Sequence, residues 1–121
     1  MSMINKEIGG FTAQGYVNNS FKTFTKEDVA AELAEAEQVC CGMSAMPEQN
    51  VLDSARLYKA YKEYVQNNGI GAISSRCWPD FFVEFGTPVC TVLSLLNANG
   101  VDASCEADAY GALSMYIGKE I

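Results

Sequence analysis

The sequence predicts an α/β fold: a small parallel sheet with βαβ crossovers, a Rossmann-like layer that belongs to a larger enzyme. Three observations predict it. Amphipathic stretches alternate with short apolar runs in the order helix, strand, helix, strand, helix, and that alternation builds parallel sheets. The crossover between the strands is then right-handed. A sheet of two or three strands keeps an exposed edge, and the last helix runs to Ile121 without a stop signal, so the chain reads as part of something longer.

Residues 1–24 carry Gly9, Gly10, Gly15 and the polar run Asn18–Ser20 between aromatics, with no clean period. They read as an irregular N-terminal arm, and residues 25–121 as the α/β domain. Thr25-Lys-Glu-Asp28 resembles a capping box with Asp in place of Glu. It predicts a helix to about Val39, with Val29, Leu33, Ala36 and Val39 or Cys40 on one face and Gly42 as the stop. A second helix is expected from Gln49 to Asn67, burying Val51, Ala55, Tyr58, Tyr61 and Val65.

Ile70–Cys77 reads as a buried strand ended by Pro79. Thr87-Pro88 looks like an N-cap and first helical residue for the apolar helix Val89–Ala98, which Asn99-Gly100 closes. Val101–Glu106 is a second short strand. Asp108 is placed to cap a final helix carrying Ala109, Leu113, Tyr116 and Ile117.

The composition narrows the function classes. With 49% hydrophobic and 19% charged residues among 121, the chain can build a core. Its 15 acidic and 8 basic residues give a net charge of −7, the wrong sign for nucleic acid or an anionic membrane surface. No apolar run reaches the ~18 residues of a membrane helix, and the N-terminus lacks a secretory signal pattern. The five cysteines, Cys40, Cys41, Cys77, Cys90 and Cys105, form no CxxC pair. Cys77, Cys90 and Cys105 sit among apolar neighbours and read as small core hydrophobes, which favours a reducing cytoplasm. The chain contains no histidine, so a self-contained Ser–His–Asp or Cys–His site and a His-ligated zinc are excluded.

Ligands of an open parallel sheet gather beyond the carboxyl ends of its strands. Two acids belong there: Glu84, past the first strand, and Asp108, 24 residues later and past the second. Neighbouring strands lie ~5 Å apart, so two such carboxylates can reach one hard divalent cation. Each also has a plainer reading. Aspartate at a helix start most often only caps it, and Glu84 can be a surface glutamate. Glu106 is a third acid, a group behind the ligands or a competitor for them. Trp78 either walls a sugar pocket or lids the core.

The stretch Ser75-Arg-Cys-Trp-Pro-Asp-Phe-Phe-Val-Glu84, then Pro-Val-Cys90, then Cys105-Glu-Ala-Asp-Ala-Tyr-Gly-Ala-Leu113 resembles the L-fucose isomerase and related sugar isomerase family. The resemblance is specific over about residues 70–120. It implies an isomerase-like α/β domain, a Mn²⁺ cofactor and interconversion of an aldose with its ketose through an ene-diol. It places metal-binding and acid–base roles on Glu84 and Asp108, with Gln49 as a polar substrate contact. The family is several times longer, takes a histidine from a later domain and completes its site from a neighbouring subunit. The expectation is a chain inactive alone, working in a homo-oligomer or with a complementing polypeptide. The alternative is a non-catalytic α/β module that binds a sugar or a protein.

Overall fold

The structure, a computed structural model, describes the backbone of residues 10–11 and 23–121, and the side chains of 23–121 other than Glu84. Most of the expected arm therefore lies outside the described residues. Within it, Gly10–Phe11 forms a short strand, β1.

Helix α1 (Ala30–Val39) follows, then a 3-10 turn at Met43–Ala45 and helix α2 (Glu48–Asn68). Strand β2 (Ala72–Ser75) leads to a short helix α3 (Asp80–Glu84) and helix α4 (Cys90–Ala98). Strand β3 (Asp102–Ser104) and helix α5 (Ala109–Glu120) complete the order. The three strands pair in the order β1-β2-β3 and all run parallel. Gly10 stands beside Ser74, and Ala72 beside Asp102. The α/β class and the parallel layer are thus as the sequence predicts.

The Thr25 box forms with both halves in place. The Thr25 N–H and hydroxyl donate to Asp28 Oδ2 at 2.8 and 2.9 Å, and the Asp28 N–H donates to Thr25 Oγ1 at 3.2 Å. The regular helix nevertheless begins only at Ala30, because these bonds close a separate turn ahead of it. Gly69, at φ 62°, ends α2 in the left-handed conformation, with its N–H on Gln66 O and the Ile70 N–H on Val65 O. That is the Schellman arrangement a glycine accepts without steric cost.

Helix α2 buries Ala55, Tyr58, Tyr61 and Val65 as expected, and also Leu57 and Ala60, which the single stripe left out. It packs against α1 and α4 together, so one apolar face is not enough. The inner face of α4, Val89, Val92, Leu93 and Leu96, is buried against it. Fully burying a Val or Leu side chain stabilises by about 1.5–3 kcal/mol, so this seam is a main source of cohesion. Thr87 does not cap α4 as expected. The cap position falls on Val89 without a side-chain bond, and the buried Thr87 hydroxyl meets Ser54 Oγ at 3.3 Å. No described helix is long and apolar enough to cross a membrane.

Candidate functional site

Parallel pairing sends the carboxyl ends of β2 and β3 to one edge, and the chemistry-bearing residues collect there. The floor is small and polar: Ser74, Ser75 and Ser104 are all buried. Tyr61 rises from α2 to share a 2.6 Å hydrogen bond with Ser75 Oγ, which satisfies both hydroxyls inside the core.

Beyond β3 the backbone turns abruptly. Glu106 and Ala107 both adopt left-handed conformations, at φ 58° and 56°. Such a conformation costs a residue with a Cβ of order 1 kcal/mol and persists only where the surroundings hold it. They do so here. The Ala107 N–H donates to Ser75 O at 3.0 Å, tying the loop to the tip of β2. Ser104 Oγ donates to Asp108 O at 2.6 Å, tying it to β3. The double reversal delivers Asp108 to the start of α5.

Asp108 is exposed and caps α5, its Oδ1 accepting the Gly111 N–H at 2.8 Å. Of the two readings of this residue, the helix cap is realised. Glu84 is the last residue of α3; its side chain lies outside the described residues. Glu106 is exposed, with Oε1 3.6 Å from Cys105 Sγ. Trp78 is 63% exposed, not a lid on the core; it meets the Phe82 ring edge-on and precedes Pro79 through a cis peptide bond. Gln49 lies at the exposed start of α2 and donates to Asp53 at 3.0 Å within its own helix.

Three of the thiols come together in a way their spacing along the chain does not announce. Cys77 follows β2, Cys105 follows β3, and Cys90 opens α4. Their sulfurs lie within 4.8 Å of one another, with Cys77 and Cys90 3.7 Å apart. Cys77 is buried, Cys105 half-buried and Cys90 exposed, so the trio runs from core to surface. All are free thiols. Burial pushes the Cys77 thiol up, and the neighbouring Cys90 adds to this against a hydrogen bond from the Val89 backbone. Burial likewise raises Cys105, against a hydrogen bond from the Glu106 backbone. Three sequence-distant cysteines show no motif spacing; only their shared place at strand and helix ends marks them.

A hard cation such as Mn²⁺ asks for several oxygen or imidazole ligands at one point. Among the described residues, the one group of three ligand side chains is made of sulfur, and the chain has no histidine. The described residues of this chain therefore do not make a shell for Mn²⁺.

Fold and edge together define an α/β layer of the kind whose ligands lie at the carboxyl ends of parallel strands. The particular likeness is to curated proteins named sulfoquinovose isomerase. The one from Clostridium sp. (strain MSTE9) is 54% identical over 99 residues, 82% of this chain and 22% of that protein. The one from Priestia aryabhattai is 32% identical over 108 residues, 87% of this chain and 24% of that protein. The one from Alkalicoccus urumqiensis is 43% identical over 63 residues, 52% of this chain and 14% of that protein. These relatives are sugar isomerases, and the chain spans less than a quarter of their length. No family model matches the chain. No solved structure matches it either.

Proposed function

We propose that this chain forms one wall of the active centre of a sugar aldose–ketose isomerase whose substrate is sulfoquinovose, with Glu84 and Asp108 as its acid–base carboxylates. The observation that carries the reading is the 54% identity to a sulfoquinovose isomerase over 82% of the chain. Resemblance to the L-fucose isomerase type supplies the residue roles.

The reaction moves a proton between C1 and C2 of the sugar and another between their oxygens, through a cis-ene-diol. A positioned carboxylate can accept the carbon-bound proton and return it to the neighbouring carbon. Asp108 suits such work because its own carbonyl is tied to Ser104 of β3 and the preceding Ala107 N–H to Ser75 of β2, which fixes the backbone that carries its carboxylate. Glu84 stands on the neighbouring crossover as the base. Trp78 offers an exposed indole face to the sugar. The remaining ligands and substrate contacts come from polypeptide outside these 121 residues, in the same chain, a complementing one or a neighbouring subunit. Five free thiols suit a reducing cytoplasm.

A non-catalytic sugar-binding module is the second reading, favoured by the employment of Asp108 as a helix cap. A chimera separates the two. This chain would replace the corresponding segment of the Clostridium relative, and sulfoquinovose turnover would be measured. Turnover is expected, with Glu84→Gln and Asp108→Asn each lowering it about 10²–10⁴-fold in a folded protein. A folded chimera that is inactive, or whose turnover survives both substitutions, overturns the isomerase reading.

A further inference from the structure

The geometry points to a soft-metal site formed by Cys77, Cys90 and Cys105, taking one Zn²⁺ per chain with its fourth position open to water. It uses neither of the acid–base carboxylates, and it stands whether or not the isomerase reading does.

The distances argue for it first. Tetrahedral zinc with sulfur at about 2.3 Å sets neighbouring sulfurs about 3.8 Å apart. Cys77 and Cys90 sulfurs stand 3.7 Å apart. The whole trio lies within 4.8 Å, so closing on the ion needs a contraction of about an ångström. Chance packing of small hydrophobes does not demand that three thiols from three elements share one point.

The surroundings argue for it next. Cys105 is held at the tip of β3 by the left-handed turn at Glu106 and Ala107, which the Ala107 N–H ties to Ser75 O beside Cys77. The chain carries a net charge of −7, which draws cations. Thiolates select zinc over manganese or magnesium, so the site does not compete for a hard ion.

Binding is a proton exchange. Three thiols release their protons to solvent as three Zn–S bonds form, and a water closes the fourth position. Metal and three thiolates leave a net charge of about −1 on the site, with no redox change.

The test uses the reduced, metal-stripped 121-residue chain, with circular dichroism to confirm that every sample is folded. Co²⁺ serves as the spectroscopic probe and Zn²⁺ as the competitor. One equivalent of Co²⁺ is expected to give a sulfur-to-metal charge-transfer band that Zn²⁺ abolishes and excess Mn²⁺ does not. Zinc is expected to shield three thiols from a disulfide reagent, leaving Cys40 and Cys41 reactive. Cys90→Ser, at an exposed position, is expected to weaken binding at least about tenfold and Cys41→Ser not at all. A folded chain with no charge-transfer band, or an affinity that Cys90→Ser leaves unchanged or Cys41→Ser lowers, overturns the proposal.

Discussion

The side-chain amide of Asn97 pairs with both backbone groups of Ala103: its Oδ1 accepts the N–H at 3.0 Å and its Nδ2 donates to the C=O at 2.8 Å. The same Nδ2 also donates to Leu93 O. Among the described residues β3 is an edge strand, and a residue from α4 supplies the hydrogen bonds that a further strand would otherwise make. Asn97→Ala leaves an N–H and a C=O of a buried residue without partners, at about 1–3 kcal/mol. Urea denaturation should show that loss, and Asn97→Asp should recover less than half of it, because it keeps the acceptor but removes the donor.

Asp108 and Gly111 offer a cycle that separates capping from chemistry. A Cβ on Gly111 would lie 2.5 Å from Asp108 Oδ2 and 2.9 Å from its Cγ. Gly111→Ala should therefore expel the carboxylate and cost about 1 kcal/mol of cap energy, offset in part by alanine's better helix propensity. In an Asp108→Ala background the same change should stabilise by up to about 1 kcal/mol. Asp108→Asn keeps the cap, so it should leave the denaturation midpoint nearly unchanged while removing turnover in the chimera.

Glu35 joins α1 to α2 and α4 by accepting from Tyr58 at 2.7 Å, from Asn99, and from Lys62 at 3.3 Å. Burial alone would raise its carboxyl, but these hydrogen bonds and the Lys62 charge outweigh it and hold it below its ordinary 4.5. A depressed carboxyl contributes stability that is present above the unfolded value and lost as pH falls through the folded one. Stability should thus decline below about pH 4.5. Glu35→Gln should flatten that acid limb in denaturant midpoints measured against pH.

Lys62 answers two carboxylates, Glu32 and Glu35, each at 3.3 Å. Glu32 is buried, and its Oε2 has no hydrogen-bond partner among the described residues. Removing the cation by Lys62→Met should cost roughly 2–3 kcal/mol, because it strands a buried charge. Adding Glu32→Leu should recover most of the loss in thermal melts; a further loss would show that the pair is worth more than its desolvation.

Much of this fold was legible because it is local. The apolar spacing of α4, the caps at Thr25 and Asp108, and the glycine stop after Asn68 all act within a few residues. Burial of Leu57 and Ala60 escaped, since α2 is covered from two sides and a one-face pattern cannot say so. Thr87 read as a cap because Thr-Pro usually is one, and tertiary contact with Ser54 redirected its hydroxyl. At the edge, Asp108 was found from its place after a strand, whereas the cysteines, 13 and 15 residues apart, meet only once the crossover is closed. The relatives carry the sugar-isomerase expectation; the sugar in their name, sulfoquinovose, is one that residue spacing has no means of naming.

The paired left-handed residues Glu106 and Ala107 set the terms for improving this protein. Ala107→Gly would relieve one strained backbone and, at such a site, is expected to raise stability by about 1 kcal/mol. That an alanine stands where glycine is easier means the loop forgoes an available gain and keeps a stiffer hinge. Stability here is the cheap quantity, and the fixed aim of the strand-tip groups on either side is what a looser residue would give up.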